Sequence, residues 1–508
     1  MSSLLKIGGT AINEGHEAEE TTPLLSSGAD LSGAAANSAN LSGAVENGDA
    51  TTPPPPDKPL PKLQMFLLCY ARLMEPIAFF AIFPYIAAMV QRNGRLPESD
   101  VGFYSGLIES LFSITQMTVL IVWGRLADRL GRKPVLVWSL AGMAVGPALF
   151  GMATTLPQMI LFRCVAGIFS GSTLIIRTMI FDHCTPATQA QAFSWFAFAG
   201  NVGILIGPIV GGFLADPAGQ YPGLFGGCKF FEDYPYAAPG FAVSAIAATG
   251  VVTSIFFLEE TLDKDAQKTR QQAGSNKAEQ LSIWQLMRTS GIPTVLFVNA
   301  SVMIMAFAFT ALLPVVLFTP VDIGGLGLSP FQISIYMAIQ GLSQAVWLIG
   351  IFPPVHRRIG TKKLLMACAL GYPFFFLAYV ALNELLRAGT PTATTWAWIV
   401  GPLAAIVGPG VSMAFTGVQL ALNDASPDPH VMGTLNGIAL TIASGLRSFV
   451  PGLTTALYAV GVREQILRGH LTWIVLIPVS MLMLTVIPQL PNDKQPVAST
   501  APEDESDL

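Results

Sequence analysis

This sequence contains few charged residues. Only 12% of its 508 residues are Asp, Glu, Lys or Arg, whereas 52% are hydrophobic. Soluble domains carry about 25% charged residues, so a soluble protein of this length could not cover its surface with so few. The composition therefore excludes a soluble globular protein and predicts a polytopic membrane protein.

The signatures of catalysis and of metal binding are absent from the sequence as well. It contains no G-x-x-x-x-G-K-[ST] phosphate loop, no nucleophile elbow, no H-E-x-x-H and no EF-hand loop. Its five cysteines and five histidines are scattered without the spacing of metal ligands or of a disulfide framework. We therefore predict no enzyme, no metal site and no ATP-driven transport.

The hydrophobic residues fall into runs of roughly 20 or more, the length a helix needs to cross a bilayer. Six runs precede a polar stretch and six follow it. Spans 1 to 6 are predicted at 63–90, 101–122, 135–156, 158–180, 190–214 and 236–258; spans 7 to 12 at 293–318, 331–352, 364–382, 395–422, 433–460 and 471–490. The predicted fold is an all-α membrane protein with twelve transmembrane helices in two six-helix bundles, 62–258 and 291–490.

The remaining segments are polar. Residues 1–61 are rich in Ala, Ser, Gly and Pro and residues 491–508 are acidic, so we predict that both tails are disordered. Residues 259–290, with ten charged side chains, form the predicted central loop. In the first tail Glu20 precedes Leu24 and Leu25, a spacing that resembles acidic dileucine sorting signals for the vacuole or lysosome. The alternative is an apolar pair in a disordered tail.

The distribution of Lys and Arg predicts the orientation. The two tails, the central loop and the other connections on their side hold 17 of these residues, the opposite connections hold six, and four lie within spans. By the positive-inside rule both termini are cytoplasmic. We therefore expect a multi-pass integral protein of the plasma membrane or the vacuolar membrane.

The connection between spans 2 and 3 is dense in charge. Residues 123–134, WGRLADRLGRKP, carry four basic side chains and one acid. Such a segment must lie in a turn at the membrane surface, where glycine and proline suit the geometry. We expect the acid to pair with a neighbouring arginine or with the positive N-terminus of a helix. The residues that define this turn are Gly124, Asp128, Arg129, Gly131, Arg132 and Lys133.

A few charges lie inside the predicted spans, where they are costly and usually face a bundle interior or an aqueous cavity. Glu75 lies about 18 Å along span 1 by the helical rise. In one interpretation Glu75 and Glu109 exchange protons under the influence of nearby arginines. In the other, Arg72–Glu75 and Arg163–Glu109 are fixed ion pairs that lock helices together. The candidate cavity residues are Arg72, Glu75, Glu109, Arg163 and Arg447.

Small residues recur along span 5. Gly203, Gly207 and Gly211 fall every fourth residue and predict a stripe that another helix can approach closely. Pro208 removes one backbone hydrogen bond and allows a kink, and Gly212 completes the run G-P-x-x-G-G. Generic small-residue packing is the alternative interpretation.

These motifs resemble those of the major facilitator superfamily. G-x-L-A-D-R-x-G-R-K at 124–133 resembles its loop between the second and third helices, and the arginine in L-F-R-C-V-A-G at 161–167 resembles its fourth-helix motif. G-P-x-x-G-G resembles the fifth-helix motif of its antiporter branch. The stretch 69–77 is similar to fungal and plant zinc-induced facilitator-like transporters. The connection at 356–363 aligns with the turn at 124–133, which indicates duplicated halves.

The resemblance implies a secondary transporter with its site between the two halves. We expect a proton-coupled antiporter that exports small organic molecules or loads them into a vacuole, driven by the proton gradient without a cofactor. Its partners would be the lipid bilayer, protons and a small-molecule substrate, with no nucleic acid, and the chain would act as a monomer. Asp128 would serve as a cytoplasmic latch in the outward-open state. The alternatives are a proton symporter or uniporter for a nutrient, and a sensor or scaffold that transports nothing.

Overall fold

The structure, a computed structural model, describes residues 60–184, 186–262, 288, 291–425 and 429–490. Within these ranges the regular secondary structure is entirely helical, which confirms the predicted all-α fold. The proposed sorting signal of Glu20, Leu24 and Leu25, the two predicted tails and most of the central loop lie outside the described residues.

The helices of the first half follow the predicted spans, with two interruptions. Residues 81–82 separate the two pieces of span 1, and residues 169–171 separate those of span 4, where the sequence predicted continuous helices. Spans 1 to 6 are formed by Lys62–Phe80 with Phe83–Gly94, Val101–Leu130, Arg132–Gly151, Leu156–Ile168 with Ser172–His183, Pro186–Leu214 and Ala237–Phe257. Spans 5 and 6 are connected by the short helices Pro217–Gln220, Pro222–Phe225 and Lys229–Asp233.

The second half repeats this plan with its own irregularities. Spans 7 to 12 lie in the helices Ile292–Phe318, Pro330–Val346, Phe352–Ala388, Pro391–Ile406 with Met413–Asp424, Pro429–Arg463 and Leu471–Val486. A π-helical segment, Trp347–Ile351, lies within span 8, which ends before the kink at Gly360 that precedes span 9. A 3-10 segment, Gly408–Ser412, joins the pieces of span 10. The predicted connection at 356–363 is shorter than expected: two helices meet there at a kink, and only Gly360 leaves helical geometry, with φ 76° and ψ 169°.

Each of the twelve predicted spans coincides with a helix. Ten helical runs in the described residues are long and apolar enough to cross a membrane. One of them, Pro330–Ala388, covers both span 8 and span 9. The helix of span 11, Pro429–Arg463, is additional to these ten.

The halves meet along two pairs of helices, span 2 with span 11 and span 5 with span 8. The backbone N–H of Gly452 donates to Ser110 Oγ over 2.8 Å in the first pair. In the second pair the rings of Phe213 and Phe331 lie 4.8 Å apart, centroid to centroid. These contacts lie toward the helix ends that are remote from the charged turn. A cavity opens between the halves at the level of the intramembrane charges.

The glycine stripe of span 5 packs directly on the backbone of span 1. A Cβ atom on Gly203 would come within 2.9 Å of the Leu73 carbonyl oxygen, and one on Gly207 within 3.1 Å of the Ile77 carbonyl oxygen. At Gly211 it would overlap the Ala81 carbonyl oxygen. The next residue, Gly212, faces away from span 1 and lies against span 8 of the other half. The small residues therefore allow span 5 to touch both halves closely.

Gly131 ends span 2 and begins span 3 in the charged turn. Its φ of 116° lies in the region that favours glycine. The Glu260 carboxylate, just after span 6, accepts the backbone N–H groups of Arg132 and Lys133 at 2.9 and 3.1 Å. A carboxylate therefore caps the positive N-terminus of span 3, but it is not the one expected from the sequence.

Asp128 itself makes no hydrogen bond or ion pair with the described part of the chain, and its interaction with Arg132 is through space. Arg132 forms its ion pair with Asp182, at the inner end of span 4. The expected pairing of Asp128 with an arginine or a helix N-terminus is therefore not made in this conformation, because Asp182 and Glu260 already occupy those positions.

We expect the substitution Gly211→Ala to destabilise the protein, because its Cβ would overlap the Ala81 carbonyl oxygen in the short link between the two pieces of span 1. Overpacking of this kind costs about 1–3 kcal/mol. The matched control is Gly445→Ala on span 11, where a Cβ meets no atom within 4 Å and where alanine is intrinsically the better helix former. Melting of the purified protein in detergent checks this, and equal shifts for the two variants would contradict it.

We also expect Glu260→Ala to lower the melting temperature, because it removes the acceptor for the first N–H groups of span 3. The loss of a helix N-cap costs about 0.5–2 kcal/mol. The neighbouring Glu259→Ala removes the same charge without touching that N-terminus and is the control. If both variants melt alike, the carboxylate of Glu260 has no special effect on span 3.

Candidate functional site

The cavity between the halves has a volume of about 510 Å³. Four of the five predicted intramembrane charges, Arg72, Glu75, Glu109 and Arg447, line it. The fifth, Arg163, lines a small adjoining pocket whose wall also includes Glu75. The structure therefore brings together all five residues, from spans 1, 2, 4 and 11.

Glu75 is buried and is held by hydrogen bonds to both carboxylate oxygens. Oε1 accepts from Gln116 Nε2 and Ser170 Oγ, each at 2.9 Å. Oε2 accepts from Ser172 Oγ at 2.7 Å, from the Thr173 backbone N–H at 3.1 Å and from Thr173 Oγ1 at 2.6 Å. Five donors on one carboxyl group stabilise its ionised form, since a carboxylate only accepts.

Four of the five donors to Glu75 come from the break in span 4, and the fifth, Gln116, comes from span 2. The second piece begins at Ser172, so its free N–H groups and the positive end of its dipole face the carboxylate. The freed backbone groups of the first piece are also satisfied: Trp123 Nε1 donates to the Ile168 carbonyl and Ser139 Oγ to the Phe169 carbonyl, each at 2.6 Å. Non-helical backbone at membrane depth requires such partners.

Sequence reasoning missed these partners of Glu75. The available signal was Ser170-Gly171-Ser172-Thr173, four small and mostly polar residues inside an otherwise apolar run. Small polar residues of this kind weaken a helix and offer local hydrogen bonds in its place. Only the fold shows that this segment lies opposite position 75.

Arg72 reaches Glu75 through an intermediary. Its Nη1 donates to Thr173 Oγ1 over 3.1 Å, and Thr173 Oγ1 donates to Glu75. The guanidinium also lies over the ring of Phe196, with its carbon 4.9 Å from the centroid. Within the described residues no direct ion pair joins Arg72 to Glu75, so the interpretation of a fixed pair between them is wrong for this conformation.

Glu109 has a different environment. Its side chain is only 6% exposed, yet it accepts no hydrogen bond from any group in the described ranges. Arg163 and Arg447 act on it electrostatically, Arg163 more strongly. Neither guanidinium forms an ion pair with Glu109 within the described part of the chain, so the predicted Arg163–Glu109 pair is also absent in this conformation. Glu109 is thus a buried carboxyl group without direct partners beside two cations.

Both of these cations lie on one aromatic ring. The guanidinium carbons of Arg163 and Arg447 are 5.0 and 4.7 Å from the centroid of Phe79. Arg163 is also 4.2 Å from the centroid of Phe112. Contacts of this kind contribute roughly 0.5–2 kcal/mol each, more when water is excluded. The ring faces hold the two guanidiniums near Glu109, and Arg163 Nη2 also donates to the Phe79 carbonyl oxygen over 3.5 Å.

The rest of the cavity wall is aromatic and amide-rich. Met303, Met305, Phe307 and Phe309 of span 7 line the cavity. The wall also contains five amide side chains that sequence reasoning did not identify: Gln116, Asn201, Gln340, Gln344 and Gln419. Such a wall can bind planar organic molecules by their faces and by a few polar groups.

The charged turn between spans 2 and 3 and the glycine motif of span 5 lie outside the cavity. In the described structure the cavity is lined neither by the turn residues nor by the span 5 residues of these motifs. The turn residues are Gly124, Asp128, Arg129, Gly131, Arg132 and Lys133, and the span 5 residues are Gly203, Gly207, Pro208, Gly211 and Gly212. The structure places them at helix ends and helix contacts around it.

Comparison with known proteins gives the same fold and class. The Major Facilitator Superfamily profile matches residues 68–451. The chain is 42% identical over 413 residues to the efflux pump azaK of Aspergillus niger, covering 81% of this chain and 85% of that protein. It is 26% identical over 423 residues to the protein zinc induced facilitator 1 of Arabidopsis thaliana, with 77% and 83% covered.

Among solved structures, the crystal structure of a D-xylose–proton symporter superposes with a TM-score of 0.65 at 14% identity, over 86% of this chain and 99% of that one. This likeness establishes the arrangement of helices. Together with the match along residues 68–451, it agrees with the cavity and helix pairs described above. The chain is a multi-pass membrane protein and a secondary transporter, not an enzyme, and it belongs to the Major Facilitator Superfamily.

Proposed function

We propose that this transporter is a proton-coupled antiporter that exports small organic molecules, across the plasma membrane or into a vacuole, with both termini in the cytoplasm. It works as a monomer, without a cofactor, on the energy of the proton gradient. The observation that supports this best is Glu109, a carboxyl group on the wall of the central cavity that is buried and lacks hydrogen-bond partners among the described residues.

The two buried carboxyl groups are suited to different tasks in this proposal. Glu75 accepts five hydrogen bonds, and protonation would leave several of these buried donors without an acceptor. Glu109 has no such bonds to lose. Its charge is balanced only by Arg163 and Arg447 through space. We therefore assign proton exchange to Glu109, while Glu75 and Arg72 hold spans 1 and 4 together.

The direction of transport is argued from two further features. The relative azaK is described as an efflux pump, and the run G-P-x-x-G-G in span 5 resembles the antiporter branch. The cavity lies on the side of the halves nearer the charged turn, and the contacts between the halves lie on the other side. With the turn in the cytoplasm, this conformation would receive substrate from the cytoplasm.

The first test is transport by the purified protein in liposomes with an imposed pH gradient. Two charged aromatic probes that share a naphthalene ring are offered, 2-naphthalenesulfonate and (2-naphthylmethyl)trimethylammonium. We expect one of them to accumulate against its own gradient when protons flow the opposite way, with protein-free liposomes as control. Probe movement that is insensitive to the gradient would indicate a uniporter, and movement in the same direction as the protons a symporter.

The second test separates the two carboxyl groups. We expect Glu109→Gln to abolish gradient-driven accumulation but to retain exchange of labelled for unlabelled probe, because a neutral side chain stops proton exchange without closing the cavity. We expect Glu75→Gln to lower the melting temperature instead, because an amide cannot accept all five donors, and an unsatisfied buried donor costs about 1–3 kcal/mol. Gradient-driven accumulation that survives in Glu109→Gln would refute the assignment.

A further inference from the structure

We propose that Arg447 binds the acidic group of the substrate and that the substrates are aromatic organic anions. The inference deepens the proposed function and rests on it, because it takes the central cavity to be the transport site. It depends on the hydrogen-bonding state of Arg447, on the sum of charges around the cavity and on the rings beside that residue.

Arg447 is a cation on the cavity wall without a protein acceptor. A guanidinium has five N–H donors, and no hydrogen bond or ion pair within the described ranges uses one from Arg447. Its single direct contact of note is the face of Phe79, with 4.7 Å between the guanidinium carbon and the ring centroid. That contact holds the side chain in place on the cavity wall and leaves its N–H donors available to a ligand.

The charges around the cavity sum to one positive charge in excess, since three arginines face two carboxyl groups. Arg72 and Glu75 are connected through Thr173. Arg163 and Arg447 both act through space on Glu109, and Arg447 also interacts through space with Glu75. One positive charge therefore remains uncompensated while Glu109 is ionised. An unpaired charge within the membrane is unfavourable, and a bound carboxylate, phenolate or sulfonate would neutralise it.

The planar geometry of the guanidinium defines the preferred anion. Two parallel N–H groups match two oxygens of a carboxylate or sulfonate, which gives the strong bidentate arrangement. Because three arginines face two carboxyl groups, one cation remains for the anion even while Glu109 is ionised. Anion binding is therefore compatible with proton release at Glu109, as antiport requires.

Aromatic rings on the wall of the cavity that contains Arg447 favour an aromatic body on the anion. Phe79 and Phe112 lie on the side of the first half, with centroids 5.2 Å apart. Phe309 and Phe375 lie on the side of the second half, 4.7 Å apart. All four rings line the same cavity as Arg447. A flat molecule between these walls could stack on rings from both halves while its acidic group reaches the guanidinium.

The test is equilibrium binding to the full-length protein in detergent, measured by titration calorimetry. Three probes share one ring system: 2-naphthalenesulfonate, neutral 2-naphthylmethanol and (2-naphthylmethyl)trimethylammonium. We expect the sulfonate to bind at least tenfold more tightly than the other two. Equal affinities, or preference for the ammonium probe, would overturn the proposal on the unmodified protein without any variant.

Variants then test whether Arg447 is the residue that gives the preference for the sulfonate. We expect Arg447→Gln to weaken sulfonate binding at least tenfold and to change the affinity for 2-naphthylmethanol less than twofold. Arg447→Lys should retain a preference for the sulfonate over the ammonium probe. The control is Arg463→Gln, which removes a cation from the exposed outer end of the same helix. A loss of affinity in Arg447→Gln that is equal for all three probes would indicate a structural effect and contradict the proposal.

Failure of this inference is distinguishable from failure of the proposed function. If the ammonium probe is bound and is driven against its gradient by protons, the antiporter proposal stands and the anion site is rejected. If the sulfonate is bound through Arg447 but its movement ignores the proton gradient, the anion site stands and antiport is rejected.

Discussion

The interaction on which the rest of the structure depends is that between Glu75 and the break in span 4. A carboxylate at membrane depth needs donors, and an interrupted helix has free N–H groups that need acceptors. The break in span 4 supplies donors to the carboxylate, and the carboxylate accepts them. Thr173 donates through both its N–H and its hydroxyl, and Ser170 and Ser172 donate through their hydroxyl groups. The arrangement fixes span 1 against span 4, and span 1 in turn lies against the glycine stripe of span 5.

Around this fixed point the cavity contains a second carboxyl group in the opposite situation. Glu109 is buried to a similar degree but accepts no hydrogen bond among the described residues. Its partners act through space and are held by aromatic faces instead. A carboxylate bound by five donors resists protonation, whereas one balanced only by distant cations can gain or lose a proton with little rearrangement. Chemically similar residues are thereby suited to different tasks.

The two halves have a similar order of helices but contribute different side chains to the cavity. Gly131 and Gly360 occupy corresponding positions and both have positive φ, 116° and 76°. At each of these glycines the backbone leaves helical geometry between two helices. The first half contributes four of the five intramembrane charges. The second contributes Arg447 and a wall of rings, methionines and amides. The site therefore requires both halves to be complete.

Hydrophobic run length and charge density in the sequence were enough to establish the helical membrane fold, the position of most spans and the identity of the intramembrane charges. These properties are local: a run of about 20 apolar residues spans a bilayer, and a charge within it is costly wherever its partner lies. Which groups become partners depends on the packing of distant spans. Thr173 between Arg72 and Glu75, Phe79 beneath two arginines and Glu260 at the start of span 3 all come from other segments. Only the tertiary structure could decide them, because hydrogen bonds and ring contacts depend on distances between side chains that no local pattern encodes.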